Sequence, residues 1–156
     1  MPHDARANTP CSPEDTDAFL SVAEEIAQSH GQRMTRIRRK VLRLLVESEK
    51  PAKAYDLMEN LDGEGSAKPP TIYRALEFLQ SLGLAHKIES LNAYVACGHA
   101  SHNHSAIFLI CEACGAAEEL HSRSTVPALM EEAEAANFKL SQAVIEARGL
   151  CKACAA

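Results

Sequence analysis

Cys111-Glu112-Ala113-Cys114 and Cys151-Lys152-Ala153-Cys154 are two Cys-x-x-Cys pairs separated by 36 residues. Two intervening residues let both sulfurs of a pair turn toward one cation. Two such knuckles complete a tetrahedral tetrathiolate shell of the structural-zinc type. That closed shell leaves no position for water or substrate, so the chemistry it implies is folding, not catalysis. A redox dithiol would need only one such pair, set near a βαβ unit. Met1 to Pro13 holds no apolar run and nothing later approaches a bilayer span, so the expected compartment is the cytoplasm, with no membrane partner. Thiols stay reduced there, which again favours metal ligation over disulfides.

Further ligand types gather away from these pairs. His86 falls on a predicted strand, Cys97 at a predicted junction, and His99, His102 and His104 in a polar loop, followed by Glu118, Glu119 and His121. A lone histidine is usually an ordinary polar residue, but four histidines and a cysteine around one junction are a concentration. Cys11 lies in the N-terminal tail and receives no role. The net charge of −5 weighs against nucleic acid, yet its distribution reverses that weight. Residues 1–29 carry one basic and six acidic residues, 30–95 eleven and eight, and 96–156 four and seven. The basic excess peaks in Arg33, Arg36, Arg38, Arg39, Lys40 and Arg43, with no acid between them. Phosphate attraction depends on such local clustering, although a solvated basic helix face would read the same way.

Small elements must position these groups. With no Trp and 4% aromatics, the core has to come from Leu, Ile, Val and Ala. Halves of 60 to 80 residues each need a metal or a partner subunit. Ser12-Pro13 opens a helix to about Gln28, with Phe19, Val22, Ala23, Ile26 and Ala27 at helical spacing. Thr35 caps a second helix that buries Ile37, Val41, Leu44 and Leu45 and carries arginines on its other face. A short third helix covers Ala54 to Leu61. After a loop, Pro69-Pro70 launches a fourth to about Ser81. Ile72, Ala75, Leu76 and Leu79 point inward there, Thr71, Tyr73, Arg74 and Glu77 outward, and Gly83 closes the end. Strands over Leu84–Glu89 and Asn92–Val95 complete the layout of a winged helix-turn-helix. Beyond a boundary near residue 96, strands are expected at Ala106–Ile110, Ala116–Leu120 and Lys139–Ala147, with a helix from Thr125 to about Ala136. The expected fold is α+β. A winged helix-turn-helix domain over 1–96, whose first twelve residues form a disordered tail, precedes a small α/β dimerisation and metal-binding domain over 97–156.

Lys68-Pro69-Pro70-Thr71-Ile72-Tyr73-Arg74-Ala75-Leu76, the Cys111-x-x-Cys114-Gly115 and Cys151-x-x-Cys154 knuckles, His86-Lys87-Ile88-Glu89-Ser90 and Tyr94-Val95-x-Cys97 carry a resemblance. Over about residues 15–155 the chain resembles the ferric uptake regulator family of bacterial repressors, and within it the zinc uptake regulator branch. The resemblance implies a homodimer that presents two winged helices to double-stranded DNA of near-palindromic operator sequence. It implies a zinc-responsive repressor of zinc uptake genes, with Arg74 reading guanine and Tyr73, Thr71 and Arg38 contacting DNA. It nominates His86, Cys97, His104 and Glu119 as a regulatory zinc site, and leaves a further site at His102, Glu118 and His121 open. Where the family has Thr-Pro-Gln-Arg, this chain has Thr35-Arg36-Ile37-Arg38, which keeps Arg38 aligned.

The alternative within the same architecture is an iron- or peroxide-responsive repressor. The lone thiolate of Cys97 favours zinc over metals that prefer oxygen-rich sites. A zinc enzyme is disfavoured because four protein ligands leave no water position, and no small-molecule substrate is expected. A redox switch acting through the knuckles would announce itself by zinc loss under mild peroxide.

Overall fold

The computed structural model describes residues 13–61, 68–98, 105–120 and 122–156. The chain divides into two compact units, Met1–Asn103 and His104–Ala156.

In the first unit α1 (Pro13–Ser29) buries Leu20, Ala23 and Ala27, and leaves Val22 exposed on its far side. Helix α2 (Arg36–Glu47) begins where expected: the Thr35 hydroxyl accepts from the Arg38 backbone N–H at 3.4 Å. Its buried stripe is Val41, Leu42 and Leu45, with Ile37 and Leu44 at the margin of the core. The α3 helix (Ala54–Glu59) ends two residues earlier than its apolar spacing suggested, although Leu61 still packs in the core. Pro69 and Pro70 occupy the first turn of α4 (Pro69–Ser81), where the missing N–H groups have no intrahelical partner to lose. The buried face of α4 is the predicted one with Phe78 added. Gly83 closes it at φ +67°, and the Leu84 N–H reaches back to the Leu79 carbonyl at 2.9 Å.

The wing is β1 (Ala85–Ile88) paired antiparallel with β2 (Ala93–Ala96). A 3-10 turn over Glu89–Leu91 and a left-handed Asn92 at φ 46° join them. Ala52 adds a single bridge on the outer side of β2, exchanging two backbone hydrogen bonds with Tyr94.

Part of the basic stretch is paired within its own unit. Arg39 pairs with Glu24 at 2.6 Å, and Arg43 pairs with Asp17 and, at 3.3 Å, with Glu47. Two of its six cations therefore tie α2 to the acidic α1. Such exposed pairs contribute only about 0–1 kcal/mol each, so apolar burial holds the helices and the pairs neutralise.

The second unit is a three-stranded sheet in the order β4-β3-β5, with a helix before its last strand. Strand β3 (Ala106–Cys111) lies at the centre, antiparallel to β4 (Ala117–Glu119) and parallel to β5 (Val144–Gly149). A parallel return needs a crossover, and α5 (Thr125–Ala135) supplies it. The last strand is a correction: it starts at Val144 and not Lys139, and it runs on to Gly149. The β3–β5 register begins with Ala106 opposite Val144, and Ala143 is tied to the same edge, its carbonyl accepting from the Ala106 N–H and its N–H donating to the Ser105 hydroxyl, both at 3.1 Å. Side-chain burial centres on Ile107, Phe108 and Ile110.

Helix α5 buries none of its residues, and Met130 on it is 45% exposed. Among the described residues, seven of the ten exposed large apolar or aromatic side chains fall in this smaller unit: Leu109, Leu120, Leu129, Met130, Phe138, Val144 and Leu150. A unit so small with so much uncovered apolar surface is built to be covered.

Candidate metal centres and DNA-reading face

Parallel pairing is what assembles the four cysteines. Cys111 is the last residue of β3 and sits opposite Gly149, the last residue of β5. Both strands thus leave the sheet at the same end, and knuckles 36 residues apart in sequence become neighbours. In the first, Gly115 adopts φ +74°, a left-handed turn in which its N–H returns to the Cys111 carbonyl at 2.9 Å. In the second, the Cys154 N–H returns to the Cys151 carbonyl, also at 2.9 Å.

The four sulfurs lie within 4.8 Å of one another, and Cys114 Sγ is 3.9 Å from Cys151 Sγ. A tetrahedral shell with Zn–S near 2.3 Å requires sulfurs about 3.8 Å apart, so the donor set fits zinc. Local electrostatics agree. Backbone N–H groups of Cys151 and then Cys114 pull the Cys111 thiol down from its ordinary 9.0 to about 6, and the Cys151 amide lies 3.4 Å from that sulfur. The crowded sulfurs of Cys151, Cys111 and Cys114 push Cys154 the other way, up to about 12. One thiolate is welcome and a fourth is not, unless a cation shares the site.

The wing places a second donor pair. His86 faces Val95 across the β1–β2 ladder, and the next step of that ladder sets Cys97 opposite Leu84, whose carbonyl accepts the Cys97 N–H at 2.9 Å. His86 and Cys97 are therefore diagonal neighbours on one face of the wing. A ring nitrogen of one and the sulfur of the other lie within 4.8 Å, and both residues are buried. One imidazole and one thiolate within reach of a common ion are donors that suit zinc.

Glu119, the third nominated ligand, ends β4 in the second unit and is half-buried. Its neighbour Glu118 pairs with exposed Leu109, whereas Glu119 pairs with buried Phe108. Strand alternation thus sends the two carboxylates to opposite faces of the sheet, and one ion on one face takes only one of them. His102, His104 and His121 lie outside the described residues.

On α4, Tyr73 and Arg74 are exposed, Thr71 is half-exposed, and none is used by the core. Arg38 is placed differently. Its guanidinium stacks 3.6 Å from the centroid of Phe78, and its Nη1 donates to the Arg33 carbonyl at 2.6 Å. Tyr55, absent from the sequence-based set, is 62% exposed on α3, which packs beside α4. The signal available was a tyrosine on the outer side of a short helix whose Leu57 and Leu61 point inward.

The ferric uptake regulator family matches residues 29–148. The chain is 40% identical to the zinc uptake regulation protein of Escherichia coli (strain K12) over 141 residues, 89% of this chain and 82% of that protein. Its structure is similar to a zinc uptake regulator complexed with zinc and DNA, at TM-score 0.85 and 40% identity, covering 90% of this chain and 95% of that one. It is also similar to holo XcZur, at TM-score 0.83 and 42% identity, covering 89% and 98%.

Proposed function

This chain belongs to the ferric uptake regulator family, and from that premise we propose how its parts divide the work. It is a zinc-responsive transcriptional repressor, which binds near-palindromic operator DNA as a homodimer when regulatory zinc is bound and controls zinc uptake genes. We assign DNA binding to residues 1–96 and dimerisation and metal binding to 97–156. The compartment is the cytoplasm; among the described residues no helix is long and apolar enough to cross a membrane. No enzymatic role is assigned, since a four-ligand shell leaves no position for a reacting water.

Cys111, Cys114, Cys151 and Cys154 hold a structural zinc that supplies folding energy. His86, Cys97, His104 and Glu119 hold the regulatory ion, and Glu118, turned to the opposite face, is not one of its ligands; the further site with His102 and His121 that the resemblance leaves open would be where it serves. The regulatory donors come from both units of the chain. Occupancy and the DNA-competent arrangement are therefore linked, to the extent that zinc binds that arrangement more tightly than others. Arg74 suits bidentate binding to guanine, worth about 1–3 kcal/mol of discrimination. Tyr73 and Thr71 lie beside it on α4. The uncovered apolar side chains of α5, β5 and their neighbours supply the dimer interface.

The observation that carries the zinc-sensing reading is the buried His86–Cys97 pair on the wing. Zinc content and operator binding at buffered free zinc, compared between wild type and Cys97→Ala, test it. The variant should stay folded, lose one zinc per chain, and lose its zinc-dependent DNA binding. If it keeps both metal and response, the sensor assignment is wrong, and an iron- or peroxide-responsive repressor takes its place.

A further inference from the structure

Arg38 is anchored three times within its own unit. Its backbone N–H enters the Thr35 cap, Nη1 is committed to the Arg33 carbonyl, and the guanidinium plane covers the ring of Phe78. Phe78 is 6% exposed and lies four residues beyond Arg74 on α4. One helical turn separates them, so both project from the same side of that helix. We propose that Arg38 is a positioning residue for DNA recognition: it acts through Phe78 to fix the rotation of α4, and with it the aim of Arg74, instead of contacting phosphate.

The proposal rests on α4 being the DNA-reading helix. Ile72, Ala75, Leu76 and Leu79 seat α4 on the core, and the cation over Phe78 adds an attraction at the edge of that buried face, next to Arg74. The lever is sensitive. A rotation of roughly 20° about the α4 axis carries a side-chain tip about 5 Å from the axis through roughly 2 Å. Bidentate hydrogen bonds tolerate only a few tenths of that. Lysine at position 38 would keep the charge but lose both the planar stack and the forked donor geometry.

The experiment uses the full-length, zinc-loaded protein with two duplexes of equal length. One is a near-palindromic site recovered by in vitro selection with the wild-type protein, and the other is its shuffled counterpart. Arg38→Lys and Phe78→Leu should each weaken binding to the selected site roughly threefold to thirtyfold, the range from an exposed to a desolvated cation–π contact. Binding to the shuffled duplex and the salt dependence of both should be unchanged. The double variant should be no worse than the weaker single one, because both remove the same contact. Retained shuffled-duplex binding in every variant excludes simple unfolding. A phosphate contact gives a different pattern: Arg38→Lys near wild type, Phe78→Leu without effect, and Arg38→Gln weakening both duplexes equally with a salt slope shallower by about 0.9. Any of those results overturns the proposal. If the zinc-loaded wild type itself shows no preference for any selected site, the repressor reading falls first and the positioning role with it.

Discussion

Replacing Cys114 by serine separates the energetics of the two units. The apolar core of the second unit has three large side chains close to fully buried, Ile107, Phe108 and Ile110. At about 1.5–3 kcal/mol each they contribute on the order of 5–9 kcal/mol. A structural zinc contributes about 10–16 kcal/mol, or roughly 3 kcal/mol per thiolate when divided among four ligands. Zinc therefore outweighs the unit's own apolar core, and loss of one ligand should shift local opening by roughly two orders of magnitude. Hydrogen–deuterium exchange resolves this by segment. In Cys114→Ser, amides of β3 and β5 should exchange about a hundredfold faster, while those of α2 and α4 keep wild-type protection. Wild-type exchange in β3 and β5, together with a measured loss of zinc, would refute the claim that the metal dominates this unit. Equal acceleration in α2 and α4 would refute a loss confined to the sheet that carries the knuckles.

Two further outcomes follow from the same geometry. Phe138→Glu places a charge on the uncovered apolar face at a residue 62% exposed in the protomer, so it should shift dimers toward monomers in light scattering with little change in helix content. A dimer of unchanged strength would place the interface elsewhere. Acid should release the structural zinc with a recognisable onset. The folded Cys111 thiol lies near 6 against an ordinary 9.0, so its thiolate's contribution is complete above about 9 and disappears as pH falls through about 6. Zinc transfer to a chromophoric chelator should therefore steepen below about pH 6, and a pH-independent rate across that value would count against the assignment.

Local chemistry was legible wherever a residue's role depends on its immediate neighbours. The Thr35 cap, the proline start of α4 and the Gly83 stop are properties of a few adjacent residues, and each appears where the spacing put it. The two knuckles were equally plain, because a Cys-x-x-Cys turn presents two sulfurs to one point whatever surrounds it. Pairing was harder to read. Residues 139–143 alternate like a strand but lie outside β5, because where a strand starts is set by its register with a partner, and the ladder with β3 starts at Val144. Helix α5 forms where expected, yet none of its residues is fully buried, which its own sequence does not announce.

By itself, the order of residue types determined that this chain carries two Cys-x-x-Cys knuckles able to offer four thiolates to one zinc, and that Thr71, Tyr73 and Arg74 lie on the outer side of a proline-started helix. Only the tertiary structure decided that both knuckles leave one end of a sheet, because parallel pairing of β3 and β5 joins residues far apart in the chain. Only it showed that Glu118 and Glu119 turn to opposite faces, which follows from their register against Leu109 and Phe108. The arginines divide in the same way. Their clustering was visible as charge, but a charge run does not say which partner each member meets. Packing gave Arg39 and Arg43 to the carboxylates of α1 and Arg38 to the ring of Phe78, and left Arg74 exposed on α4.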